Sequence, residues 1–371
     1  MHIAVDTRDL RIARTGNRTY LEELCRVFPT VTDAHQFHFI APNWQIPSGK
    51  SPLHKIIAHL AFYWWKEIEL PWHAWRKKCD VIFCTDYVVP LWASAATVPV
   101  FHDAGFWERP QDYNRLWRKL LNLLALPAAR HAAAVITVSQ SARERIASLT
   151  GIPLTKLHVV YEAPKHAATT SQPEDWQAIL ARYQLQNKPF MLHVGVMEKR
   201  KNLTRLVEAF AQAQPHLLPD YRLVLVGQPG PKIDMDDSTN IHDAIQRHGL
   251  AEKVILTGYV DDAALSTFYH QAAFYIFPSL YEGFGLPILE AFANNLPVAA
   301  ARATSLPEIA GDAAVYFDPL NCTEMAAQIK QLAVESDLRR SLAEKGRQRL
   351  KVFTWEKTAQ EIINVFEDVT T

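Results

Sequence analysis

The chain has no excess of charge of either sign: 39 basic and 39 acidic side chains cancel over 371 residues. Without a basic surplus it lacks the electrostatic term that dominates nucleic-acid binding, so no nucleic-acid partner is expected. Cysteine is scarce. Cys25, Cys79, Cys84 and Cys322 are scattered without the close spacing of a zinc site, and reduced thiols in a cytoplasmic protein are expected instead of disulfides. No apolar run approaches the roughly 20 residues that span a bilayer. The first residues, Met1 to Asp6, read as a strand and not a signal peptide. Neither a short repeat nor a low-complexity tract is evident. What remains is 49% apolar and long enough for two domains, each with its own core.

Short apolar runs alternate with helical patterns through both halves, which implies parallel sheets covered by helices. Strands are expected at 3–6, 37–41, 81–84, 98–102 and 134–139, and in a second series at 190–196, 222–227, 253–257, 273–277 and 298–300. The predicted organisation is an α/β pair of doubly wound, Rossmann-like domains at 1–165 and 189–350. They are joined by a linker with a small helix at 166–188, and an amphipathic helix follows at 351–371. Such domains take ligands at the carboxyl ends of their strands, here in a cleft between the two.

The densest chemistry lies at 277–290. Glu282 and Glu290 stand eight positions apart with Gly283 and Gly285 between them, after an apolar run and before Pro287. Pro is favoured in a helix's first turn, so the glycines fall in a strand-to-helix loop where bare backbone can approach a ligand. Glu290 is expected in the first helical turn. Amides at a helix start suit phosphates and carboxylates suit hydroxyls, which together fit a sugar nucleotide. A second group, Lys199-Arg200-Lys201-Asn202, follows the strand at 190–196, with Asn202 as an expected helix cap. Three adjacent cations at a strand's carboxyl end become useful when a diphosphate sits there.

The 277–290 segment resembles the Glu-x7-Glu signature of the retaining glycosyltransferases of family 4, whose two-domain fold is called GT-B. The likeness runs on through Asn295-Leu296-Pro297-Val298, through 305–311, which begins Ser305-Leu306-Pro307-Glu308, and through Phe317-Asp318-Pro319. It covers almost all of the C-terminal half and patches of the N-terminal half. The resemblance implies a retaining, metal-independent hexosyltransferase with no cofactor, using a nucleotide diphosphate sugar. GDP-mannose is favoured as donor, a UDP-sugar next, and a glycan or lipid-linked glycan is the acceptor. It assigns Arg200 and Lys201 to the departing diphosphate, with Lys199 standing where relatives have Pro. Glu282 and the backbone of Gly283, Phe284, Gly285 and Leu286 would hold the sugar, and Glu290 the ribose.

Further assignments rest on the same likeness. His102 would contact the transferred sugar, with Asp103 fixing its tautomer or meeting the acceptor. Gly16, within Arg14-Thr15-Gly16-Asn17-Arg18, resembles a glycine loop whose amides meet the donor phosphate or the acceptor, but reads also as an ordinary turn. Val260 would contact the base through its backbone. Ser139 matches a strand-end motif but reads equally well as a helix cap. Asp261 is expected to cap a helix and not to bind metal. Eight of ten tryptophans precede residue 120. Trp64, Trp65, Trp72 and Trp75 lie beside Lys66, Arg76, Lys77 and Lys78, and Trp107 and Trp117 lie near Arg115, Arg118 and Lys119. They read either as core or as a peripheral patch for an anionic membrane, at its inner face. A non-catalytic sugar-nucleotide scaffold and a GT-B epimerase are the alternatives.

Overall fold

The computed structural model describes residues 1–12, 16–44, 52–110, 115–165, 175–230 and 234–371. It divides into two compact units, Met1–Ala163 with Thr354–Thr371, and Pro164–Phe353. The sequence-based linker is thus split. Residues 166–174 lie outside the described residues, while the helix Trp176–Arg182 packs on Asp262–Gln271 of the second unit, with Tyr183 edge-on to Phe268.

The first unit is built on six parallel strands: β1 (His2–Asp6), β2 (Gln36–Ile40), β3 (Val81–Cys84), β4 (Ala96–Phe101), β5 (Val135–Thr137) and β6 (Leu157–Val159), in spatial order β2-β1-β3-β4-β5-β6. Ile3 is in register with Phe37 on one side and Val81 on the other. Every residue of β3 is buried, as a parallel strand covered on both faces requires. The second unit repeats the plan with β7 (Phe190–Val194), β8 (Arg222–Val226), β9 (Val254–Gly258), β10 (Phe274–Phe277), β11 (Val298–Ala301) and β12 (Ala314–Phe317), in order β12-β11-β10-β7-β8-β9. β6 and β12 were not anticipated. Both are edge strands of three or four residues, too short to stand out from flanking apolar sequence.

Each sheet has one place where the chain reverses its direction of travel across the strands: between β1 and β3 in the first, between β7 and β10 in the second. On the other side of β7, its loop touches the loop after β8. A Cβ on Gly227 would lie 1.9 Å from the Gly195 carbonyl oxygen, and Gly227 has φ +151°, so only glycine fits.

In the first unit the helix Pro52–Trp64 passes through one π-helical turn, Trp65–Glu69, into Leu70–Arg76. The wider turn directs both Trp65 and Lys66 inward, so of the two readings these two residues take the core and not the surface patch. The Trp65 indole donates to Asp6 Oδ1 at 3.1 Å, and Lys66 Nζ sits 2.7 Å from Asp6 and 2.6 Å from Asp86. The two aspartates keep Lys66 protonated against the pull of burial.

Trp64, Trp72 and Trp75 remain exposed, with Arg76 over the Trp72 ring at 5.5 Å. Trp107 is half-buried and stacks on Phe101. The side chains of Arg115 and Trp117 lie outside the described residues. The last helix, Trp355–Thr370, belongs to the first unit. Its buried face sets Trp355 against Tyr20 and Phe366 against Phe83, and Thr358 Oγ1 donates to the Tyr161 carbonyl. No helix among the described residues is long and apolar enough to cross a membrane. Cys25, Cys79, Cys84 and Cys322 are unpaired.

Candidate active site

The loops after β7 and β10, at the reversal point of the second sheet, bring Arg200, Lys201 and Glu282 together. Glu282 Oε1 lies 2.6 Å from Lys201 Nζ and its Oε2 lies 3.0 Å from Arg200 Nη1. Arg200 Nε also donates to Glu198 at 2.8 Å. Burial alone would raise the Glu282 carboxyl, but Lys201 and then Arg200 pull it down to about 2. It therefore stays ionised through the whole neutral range. Lys201 Nζ also lies 5.1 Å over the Phe277 ring, which adds a weak cation–π attraction.

Loop-to-loop bonds hold this cluster in place. The Leu280 amide donates to the Arg200 carbonyl, and Glu282 N donates to Thr304 Oγ1 at 3.1 Å. Ser305 Oγ donates to the carbonyls of Glu282 and Phe284. Asn202 stands at the start of the helix Leu203–Ala213 but does not cap it, contrary to expectation. It takes a left-handed conformation, and its Nδ2 donates to the carbonyls of Pro278 and Pro319. The demand to tie three loops outweighs the local cap.

Gly285, at φ +120°, precedes the helix Leu286–Ala293, and a Cβ there would come within 3.0 Å of Leu306. The amides that follow it belong to the first turn, which has no earlier carbonyls to bond. Because the helix already starts at Leu286, Glu290 falls in its second turn and not its first. Its Oε2 accepts from the Tyr269 hydroxyl at 2.8 Å, and burial raises its carboxyl above the ordinary value. Val260 lies in the loop after β9, between Gly258 and the cap Asp261, whose Oδ1 accepts from Ala264 N at 2.8 Å. Asp261 is a cap, as expected. Among the described residues no three His, Cys, Asp or Glu side chains converge as metal ligands.

Sequence reasoning missed His193. It is fully buried on β7, its Nδ1 donates to the Ile276 carbonyl at 3.0 Å, and burial lowers it to about 4, so it is neutral. Its Nε2 has no partner among the described residues and lies beside Gly195, next to Lys201. The only signal was a polar residue inside an apolar strand.

In the first unit, His102 follows β4. Its Nδ1 faces Glu162 at 3.0 Å and its Nε2 faces the Thr85 carbonyl at 3.1 Å. Burial would lower it, but the hydrogen bond and charge of Glu162 raise it above its usual value, favouring the imidazolium that donates at both nitrogens. Glu162 takes the orienting role expected of Asp103, which instead accepts from Tyr87 and the Gly105 amide. Ser139 is buried and caps the helix Gln140–Thr150 through Ala142 N. Gly16 is the first residue of the helix Gly16–Val31 and not part of an open loop, while Arg14 and Thr15 lie outside the described residues.

Comparisons with known proteins assign both units to a family. Residues 177–349 match the model of glycosyl transferases group 1, and residues 15–163 match that of glycosyltransferase family 4. The O-antigen chain mannosyltransferase B of Escherichia coli is 30% identical over 274 residues, 73% of this chain and 70% of that protein. The serotype-specific mannosyltransferase WbdA of Escherichia coli is 27% identical over 238 residues, 63% of this chain but only 29% of its own length. The crystal structure of HepE from Anabaena in complex with UDP-glucose superposes with a TM-score of 0.73 at 18% identity, covering 99% of this chain and 100% of that one.

Proposed function

The chain belongs to the family 4 glycosyltransferases, with the GT-B fold, and on that footing we propose that it moves a hexose, mannose above others, from a nucleotide diphosphate sugar to a glycan or lipid-linked glycan with retention of configuration. The observation that carries this reading is the Arg200–Glu282–Lys201 cluster at the strand ends, with Glu290 in the helix that follows the same loop. Two cations held ready by one carboxylate can exchange it for a diphosphate. Glu282, once released, is free to accept sugar hydroxyls. As the bond from the anomeric carbon to the diphosphate oxygen breaks, negative charge grows where Arg200 and Lys201 point. The acceptor hydroxyl attacks the same face, and the leaving phosphate oxygen takes its proton. No side chain is assigned as a covalent nucleophile, and no step is assigned to a metal.

The names of the two mannosyltransferase relatives support mannose as the sugar, GDP-mannose is taken as its donor from the family resemblance, and the HepE complex keeps a UDP-sugar as the second choice. Glu290 would hold the ribose, the amides of Gly283 to Leu286 the sugar and phosphate, and the Val260 backbone the base. His102 would contact the sugar after giving up one of its two protein partners, and Asp103 and Ser139 would border the acceptor.

Two measurements test the reading. A thermal-shift screen across GDP, UDP, dTDP and ADP should give one clear winner, since a ligand bound only by the folded state raises Tm. Incubation with the matching sugar nucleotide should then release the nucleotide. Binding without release would favour a scaffold, and a changed sugar without transfer an epimerase. Glu290→Ala should weaken the free nucleoside diphosphate by roughly 1–3 kcal/mol, while Glu282→Ala should spare it and depress use of the intact donor. Equal calorimetric losses in the two variants would overturn this division.

The proposal also includes peripheral attachment to the inner face of an anionic membrane, and here the exposed face of the first unit's long helix is the support. Ile56, Leu60, Trp64, Ile68 and Trp72 recur at every fourth position, all exposed, and lead to exposed Trp75, Arg76, Lys77 and Lys78. An apolar stripe ending in aromatics and cations suits a lipid interface. The protein should sediment with anionic vesicles and be released by salt, because screening acts within about 10 Å at 0.1 M. Leu60→Ser with Trp64→Ser should abolish sedimentation. No sedimentation at low salt would remove the membrane from the reading.

A further inference from the structure

Tyr269 lies in the helix Asp262–Gln271, close to Glu290 in Leu286–Ala293, and its hydroxyl donates to Glu290 Oε2 at 2.8 Å. The two residues differ in what they can reach. Tyr269 is 4% exposed and too deep to meet a ligand, whereas Glu290 is only partly buried. The Tyr269 ring packs 6.0 Å from that of Tyr275, at 25° to it, so the hydroxyl oxygen is fixed and only its proton can turn. The helix that carries it begins at the cap Asp261, next to Val260, and so ties Glu290 to the loop after β9.

A phenol has one proton to give, and an ionised carboxylate accepts it more strongly than a neutral acid does. The bond to Tyr269 thus favours the charged form of Glu290. Burial favours the neutral form and raises the carboxyl; the Tyr269 hydroxyl is the largest pull the other way, ahead of Lys165 and then Lys201. Burial and then the Glu290 charge push the Tyr269 phenol far above its usual value, so the proton stays on the tyrosine. The Glu290 charge acts on Tyr275 as well, but that hydroxyl donates to the Val194 carbonyl at 3.2 Å, and burial keeps it neutral too. Among the described residues, two neutral phenols and two lysines are therefore the titratable groups acting on Glu290, and Tyr269 alone hydrogen-bonds its carboxylate.

We infer that Tyr269 is a positioning residue of the nucleotide site, whose hydroxyl fixes Glu290 at Oε2 so that Oε1 is presented, charged, to a ribose hydroxyl. The inference rests on the ribose role proposed above for Glu290 and adds the group that makes this carboxylate competent at neutral pH.

The test uses the full chain and calorimetric Kd values for GDP and for UDP, from about pH 5 to about pH 8, in the unaltered protein, Tyr269→Phe and Tyr275→Phe. Affinity should fall on the acid side as Glu290 takes up its proton. The nucleotide's own terminal phosphate titrates near pH 6, equally in all three proteins, so the comparison is between proteins. Tyr269→Phe should move the fall-off up by about one pH unit, the size of one hydrogen bond to a charged group, and weaken binding about three- to tenfold at neutral pH. Tyr275→Phe loses a hydroxyl from the same stack and should leave the fall-off in place. In a Glu290→Gln background Tyr269→Phe should shift nothing further. The Tm of each free protein reports that it is folded. If Tyr269→Phe does not fold, NMR of the unaltered chain decides: the Tyr269 hydroxyl proton should move as the Glu290 carboxyl carbon titrates. An unmoved fall-off, an equal shift in both Phe variants, or a hydroxyl proton indifferent to Glu290 would overturn the role of Tyr269. Should Glu290→Ala weaken the nucleotide in that case, the ribose reading stands without Tyr269; no loss in Glu290→Ala would sink the ribose reading itself.

Discussion

Lys201→Ala is expected to lower turnover by roughly 10²–10³-fold, the loss that follows removal of one donor from a developing oxyanion. Affinity for the free nucleoside should change far less, because the charge served by Lys201 grows only as the glycosidic bond breaks. The structure adds a second effect. Lys201 and Glu282 form a largely buried pair, with side chains 9% and 11% exposed. Removing the lysine leaves the carboxylate to Arg200 alone, so stability should fall toward the lower end of the roughly 3–5 kcal/mol seen when a buried pair is broken. Lys201→Met combined with Glu282→Gln separates the two, since it removes both charges. Tm should largely recover while turnover stays low. Near-normal turnover in Lys201→Ala, with only nucleotide affinity reduced, would take Lys201 out of the chemistry.

Lys66→Ala should destabilise the first unit by about 3–5 kcal/mol, against ±0.5 kcal/mol for Lys77→Ala or Lys78→Ala on the surface nearby. Lys66 is 1% exposed and answers both Asp6 and Asp86, so its loss leaves two carboxylates facing each other in the core. Folding would then favour taking up a proton, so the variant should regain stability as pH falls from neutral toward about 4, the range in which the folded pair binds a proton and unfolded aspartates do not. Urea titration at two pH values checks both statements. A surface-sized effect for Lys66→Ala would return this lysine to the interfacial patch.

Lys66 also shows where the sequence stops being legible. The strands announce themselves as apolar runs, and Glu282, Gly285, Arg200 and Lys201 stand out because loop chemistry at strand ends is written in consecutive residues. Partners far apart in the chain are not. Nothing near His102 points to Glu162, 60 positions on, or near Glu290 to Tyr269, 21 positions back. Lys66, Arg76, Lys77 and Lys78 look alike as letters. One π-helical turn sends the first inward and leaves the rest in solvent, and no local propensity encodes that turn. Asn202 reads as a cap by type, yet the carbonyls of Pro278 and Pro319 claim its side chain from across the unit.

The helix Trp355–Thr370 closes the first unit although some 190 residues of the second separate it from Ala163. During synthesis the strands of the first sheet emerge long before the helix that covers Tyr20 and Phe83. At about 5–20 residues per second the delay is on the order of 10–40 s. For that interval the nascent chain shows an aromatic face with no cover, while the second unit, contiguous from 164 to 353, can finish first. Vectorial folding therefore runs out of order, and ribosome-bound chains stopped near residue 353 should engage chaperones through the first unit and not the second.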